Sequence, residues 1–239
     1  MDTIKIAKNN VKMVAHRGLS AIELENTNAA FIAAANRSYY GIETDLRKTA
    51  DGQFILLHDD HTERVGTDCL YPEKTTFETL RDLKLKDKNG DRTRADLRLC
   101  SLEEYVATCK RYGKHCVLEL KGSYSESVLS DMINRIVKAG YLENLTFISF
   151  SLDNLIKVRG LLPDQSAQYL TTEFNEKILA AMREYGLDLD IYFGGLKEGD
   201  VAVIHGAGFK VNCWTVDKKE DAERLVSWGV DFITSNILE

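Results

Sequence analysis

The sequence is poor in proline, with two in 239 residues, so its turns fall mainly to the 16 glycines. It has five cysteines, Cys69, Cys100, Cys109, Cys116 and Cys213, and no CxxC spacing. An odd set without export signals reads as free thiols in a reducing cytoplasm. No apolar run approaches the roughly 20 residues of a membrane helix, so no integral membrane segment is expected. The stretch Met1–Asn10 lacks the continuous apolar core of a signal peptide. Excess positive charge is missing too: the formal net charge is −6. Proteins that track a phosphate backbone are usually basic, so a nucleic-acid partner is not expected. A small anionic ligand needs only a few local cations, whatever the global charge. With 44% apolar and 28% charged residues, collagen, disorder and coiled coil are excluded. The length suits a single barrel-sized α/β domain over residues 1–239.

What is there is a repeating rhythm of a short β-like run followed by a helix-period run. Strands are expected at 12–16, 41–46, 115–121, 145–150, 167–170, 190–193, 210–216 and 231–234. A further short one lies at 53–58, after the turn Ala50-Asp51-Gly52. Helices are expected after Asn26-Thr27, which can cap, and from Ser101, where Ser101-Leu102-Glu103-Glu104 resembles a capping box. Others are expected over 125–139, 151–162, 175–185, 200–205 and 218–228. Eight strands joined by long crossovers imply parallel pairing and a closed (β/α)8 TIM-type barrel. A doubly wound open sheet lacks support, because no GxGxxG follows the first strand. Residues 59–100 break the rhythm; they are polar and read as an insertion above the barrel, after strand two. No residues remain for a helix after strand eight, which is expected to open one side.

Barrel active sites form at the C-terminal ends of the strands. There the sequence places His16-Arg17-Gly18, Glu43 and Asp45, His58-Asp59, and Glu119 with Lys121. Period-two alternation puts Glu43 with Asp45, and Glu119 with Lys121. Three carboxylates on neighbouring strands make an oxygen-rich site for one divalent cation, Mg²⁺ or Ca²⁺. The bland alternative is a set of salt bridges to Arg17 and Lys121. His16 and His58 flank the group as a candidate acid/base pair, with Arg17 and Lys121 as candidate phosphate contacts. Such a set suits phosphodiester cleavage. Trp214 and Phe150 end strands and are either core or a wall for substrate carbons. Glu25 is ambiguous: it either helps to orient the site or, the favoured reading, plays a structural role at a helix start. His61, His115, His205 and the cysteines read as packing or surface residues.

Together His16-Arg17-Gly18, Glu25-Asn26-Thr27, Glu43-Thr44-Asp45, His58-Asp59, Glu119-Leu120-Lys121 and Gly229–Thr234 resemble the glycerophosphodiester phosphodiesterase family, in order and over nearly the whole chain. The resemblance implies a TIM-type barrel with a small insertion after strand two. It implies cation-dependent hydrolysis of a small-molecule glycerophosphodiester to glycerol 3-phosphate and an alcohol. It carries metal ligation to Glu43, Asp45 and Glu119, acid/base work to His16 and His58, and phosphate contact to Arg17 and Lys121. It favours Trp214 and Phe150 as a wall for the glycerol. It also implies attack by the substrate's own hydroxyl, through a cyclic phosphate. Two departures stand out: Leu24 replaces a common proline, and Ser235-Asn236 stands where an aspartate is common. Rival readings are phospholipase-type cleavage of lysophospholipids on a related barrel and a non-catalytic phosphodiester binder. Head-group preference and oligomeric state are left open.

Overall fold

The structure, a computed structural model, describes residues 2–239. Its strands are β1 (Lys12–Ala15), β2 (Gly41–Lys48), β3 (Phe54–Leu56), β4 (His115–Leu120), β5 (Leu145–Ser149), β6 (Ala167–Thr171), β7 (Asp188–Tyr192), β8 (Val211–Trp214) and β9 (Phe232–Ser235). Its helices are α1 (Asn28–Ala35), α2 (Phe77–Asp82), α3 (Leu102–Tyr112), α4 (Glu126–Ala139), α5 (Leu152–Leu161), α6 (Glu176–Tyr185), α7 (Asp200–Gly206) and α8 (Lys219–Trp228).

All strands except β3 pair in parallel, in the order β1-β9-β8-β7-β6-β5-β4-β2, and β1 returns to β2 to close the ring. This is a (β/α)8 barrel. The short β3 folds back antiparallel on the end of β2, pairing Leu46 with Leu56, and so carries the chain across the barrel mouth to His58.

Local chemistry sets the helix ends. Thr27 caps α1 through its hydroxyl, which accepts from the Ala30 N–H. Both halves of the Ser101/Glu104 capping box form at α3. Gly113, Gly140, Gly186 and Gly229 take left-handed conformations that end α3, α4, α6 and α8. Alternation along the strands separates two cores. Outward residues such as Met13, Ile42, Leu118, Phe147, Ile191 and Cys213 pack under the helices. Inward residues Val14, Val117, Ile148 and Leu170 fill the barrel lumen beneath Trp214.

Residues 59–100 contain α2, a short 3-10 turn at Pro72–Lys74 and mostly irregular backbone. Their Val65, Leu80, Leu85, Leu97 and Leu99 pack with Leu24, Ile55 and Leu57 in a small separate cluster. No helix follows β9, but the barrel flank is not left bare. Residues 237–239 run extended and pair in parallel with the segment around Ile4, where the Ile4 N–H donates to the Ile237 carbonyl at 3.1 Å. Ile237 and Leu238 are buried against the outer core. The strip therefore covers the flank that the sequence suggested would open. Among the described residues, no helix is long and apolar enough to cross a membrane.

Candidate active site

The first strand ends in a strained turn. Arg17 has φ 55° and Gly18 φ 79°, both left-handed. At Gly18 any side chain would also strike α1, since a Cβ there would lie 2.6 Å from the Ala30 carbonyl carbon. The turn aims the Arg17 N–H back into the barrel, where it donates to Glu43 Oε2 at 2.8 Å. Backbone strain of this kind is tolerated where the surroundings over-determine it.

Glu43 and Asp45 face inward from β2, and Glu119 faces inward from β4 beside Asp45. Their oxygens lie within 4.8 Å of one another. Glu43 is 3% exposed and Asp45 1%. The salt bridges expected on the bland reading are present as well. Arg17 Nε lies 3.3 Å from Asp45 Oδ2, and Lys121 Nζ lies 3.0 Å from Glu119 Oε1 and 3.6 Å from Asp45 Oδ1.

These cations do not satisfy the cluster. Burial, then the neighbouring Asp45 charge, pushes Glu119 up to about 7 and Glu43 well above the usual carboxylate range. Burial also disfavours the Asp45 charge, but Arg17, Lys121 and His58 outweigh it and hold that carboxyl at about 2. Asp45 Oδ1 is nonetheless buried without a hydrogen-bond partner. Three crowded carboxylates with one orphaned oxygen fit a hard divalent cation, which prefers oxygen donors.

Each histidine is oriented by a partner behind it. His16 Nδ1 lies 2.8 Å from Asn236 Oδ1, and its Nε2 faces Glu43 at 4.0 Å. The Asn236 amide donates in turn to Asp217 Oδ2 at 2.6 Å. Residue 236 thus keeps a polar role without being an aspartate, and the carboxylate arrives one step behind it. Burial, then the Arg17 charge, holds His16 down at about 4, so it is neutral near pH 7. His58 Nδ1 lies 2.7 Å from Asp59 Oδ1. Burial lowers His58 too, though Asp45 and Asp59 oppose the shift.

His16, Arg17, Glu43, His58, Glu119, Lys121, Phe150 and Trp214 all line one cavity of about 80 Å³ at the barrel mouth, and Asp45 sits at its edge through the carboxylate cluster. The candidate catalytic, metal, phosphate and substrate residues are therefore brought to one place. Its other wall is apolar: Phe150, 48% exposed, meets Trp214 edge-on at 5.6 Å, and Tyr192 packs on the same indole at 5.8 Å. The bystander residues stay outside. His115 and His205 pair with Thr146 and Asp231, and Cys213 is buried in the outer core.

Of the two readings of Glu25, the one not favoured from the sequence fits the contacts. Glu25 does not serve the start of α1; its carboxylate accepts from Arg17 Nη1 at 2.9 Å and so holds the candidate phosphate-binding guanidinium. Asn26 was read only as a cap. It is buried with φ 55°, donates to Asp45 Oδ2 at 2.8 Å and accepts from the Thr44 hydroxyl at 2.7 Å. Its signal was in plain view, a second polar residue beside Thr27 where one cap suffices.

Residues 16–238 match the model of the glycerophosphoryl diester phosphodiesterase family. The chain belongs to that family. A glycerophosphodiester phosphodiesterase of Caldanaerobacter subterraneus subsp. tengcongensis is 27% identical over 227 residues, covering 94% of this chain and 93% of that protein. One from Bacillus subtilis is 25% identical, covering 97% and 85%. Among solved structures, an Oleispira antarctica phosphodiesterase in complex with its product sn-glycerol-3-phosphate superposes with TM-score 0.88 at 23% identity, covering 98% of this chain and 96% of that one. The Oleispira likeness speaks for the barrel.

Proposed function

We propose that this family member is a divalent-cation-dependent hydrolase that splits small glycerophosphodiesters into glycerol 3-phosphate and an alcohol. The observation that carries the reading is the convergence of Glu43, Asp45 and Glu119 with two histidines and two fixed cations on one cavity at the barrel mouth. A bound Mg²⁺ or Ca²⁺ would be held by those carboxylates and would supply positive charge to the phosphoryl oxygens.

The chain's own groups do the rest. Arg17 and Lys121 point cationic donors at the place a phosphate would occupy, and each is already anchored by a carboxylate. The aromatic wall of Phe150 and Trp214 suits the glycerol carbons and excludes water from one side. His16 is neutral and backed by a neutral amide, which favours proton abstraction at Nε2. His58 is backed by a carboxylate, Asp59, which offsets part of the lowering by burial and suits proton donation to the leaving oxygen. No serine or cysteine lines the cavity to act as a covalent nucleophile. The attacking oxygen then comes from the substrate or from water; the family resemblance favours the substrate's hydroxyl next to the phosphate ester, with water opening the resulting cyclic phosphate.

A panel of glycerophosphodiesters, assayed with Mg²⁺, Ca²⁺ and Mn²⁺ in turn and after chelation, tests the reading. Turnover should require the cation and release glycerol 3-phosphate. The 2-deoxy analogue should bind yet turn over very slowly. Binding without turnover across the panel would leave a phosphodiester binder. Equal turnover of the deoxy analogue would replace the substrate hydroxyl by water as nucleophile.

A further inference from the structure

The insertion contributes a side chain that touches neither the carboxylate cluster nor the cavity, yet joins both halves of the site. Arg64 follows the loop that carries His58 and Asp59. Its Nε donates to Asp59 Oδ2 at 2.7 Å, while Asp59 Oδ1 is engaged with His58 Nδ1 at 2.7 Å. The other edge of the same guanidinium grips Glu25 in a two-point bond, Nη1 to Oε2 at 2.6 Å and Nη2 to Oε1 at 2.8 Å. Glu25 Oε1 also accepts from Arg17 Nη1 at 2.9 Å, and Arg17 Nε faces Asp45. A continuous chain of charge-assisted contacts therefore runs from His58, through Asp59, Arg64 and Glu25, to Arg17.

We infer that Arg64 is a positioning residue that sets His58 and Arg17 relative to one another across the reacting phosphate. The geometry asks for a guanidinium. Asp59 and Glu25 present carboxylates to two edges of one planar fork, and three of its nitrogens are used. A lysine ammonium is a point charge and cannot span both partners. Without the fork, Asp59 and Glu25 would be two like charges facing each other, and each would be free to turn away from the group it orients. The Arg64 side chain is 45% exposed, so it fills no core space and the barrel does not depend on its volume. The residue lies in the 59–100 segment, which gives the insertion a part in catalysis: its first turn locks the acid/base loop to the turn after β1.

The inference rests on the hydrolase reading for its kinetic arm only. In Arg64→Ala, kcat should fall by about 10- to 100-fold, as expected when reacting groups lose alignment, with a smaller change in KM and an unchanged melting temperature. Arg64→Lys should recover little of that loss. Added guanidinium ion should restore turnover to Arg64→Ala, whereas methylammonium should not. Full activity in the lysine variant, or in the alanine variant, would overturn the inference. A second arm needs no turnover. The His58 Nδ1 proton, assigned by its loss in His58→Gln, should give a slowly exchanging NMR signal in the wild type and a broadened one in Arg64→Ala. A signal unchanged by the substitution would overturn the positioning role even if the wild type proved inactive on every diester. An inactive wild type with the NMR effect intact would instead count against the hydrolase reading alone.

Discussion

At the residue scale the two histidines are the sharpest case, because their sequence context looks alike and their surroundings do not. Each follows a strand and each is held through Nδ1, but one partner is an amide and the other a carboxylate. An amide accepts a proton's hydrogen bond without compensating a positive charge; a carboxylate does both. This difference is what supports the proposed division of base to His16 and acid to His58. His16→Ala and His58→Ala should each lower turnover by about 10² to 10⁴, the usual range for removing a general acid or base. The double variant should lose far less than the product, since both groups serve one proton-transfer circuit. Steady-state kinetics decides it: near-normal turnover in either single variant removes that histidine from the mechanism.

At the element scale the strand periodicity made most of the site legible. Inward positions two apart on β2 and at the end of β4 place Glu43 with Asp45, and Glu119 with Lys121 just beyond the strand. The residues that hold them were not legible in the same way. Asp217 reaches Asn236 from the loop after β8, and Glu25 reaches Arg17 from across a tight turn. Contacts of that sort follow no periodicity; they depend on how loops meet at the barrel mouth. The covered flank after β9 escaped for a related reason, since an extended strip of Ile237 and Leu238 has no helical pattern to read. The turn between β1 and α1 is the element on which most depends. Gly18→Ala would both strain a left-handed residue and push a methyl to 2.6 Å from α1 backbone. The expected cost is about 2–4 kcal/mol in denaturant unfolding, together with lower turnover, because the same turn delivers the Arg17 N–H to Glu43. A loss under about 1 kcal/mol would mean that α1 shifts freely and the turn is not over-determined.

At the scale of the whole molecule the barrel divides its polar residues between two ends. The C-terminal mouth concentrates groups whose charges are poorly compensated, which suits the phosphate and cation proposed for it. The opposite end, where strands begin, uses polar groups for stability. His115 opens β4 there, stacks on Tyr40 at 5.0 Å and meets the Thr146 hydroxyl at 2.8 Å. Burial, then the Lys12 ammonium, holds its imidazole down at about 4, against about 6.5 in an unfolded chain. Above both values neither state carries the proton, and His115 adds no pH dependence. Between them the unfolded chain binds a proton that the folded chain refuses, so acidification favours unfolding. Stability present above pH 6.5 is therefore lost as the pH falls toward 4, by at most about 1.4 kcal/mol per unit from this group. His115→Gln can keep the bond to Thr146 without titrating. Its unfolding free energy, measured in denaturant from pH 7 to 4.5, should fall less steeply than that of the wild type. Parallel slopes would show that His115 takes up its proton in the folded barrel, and that the lower end is wetter than its packing implies.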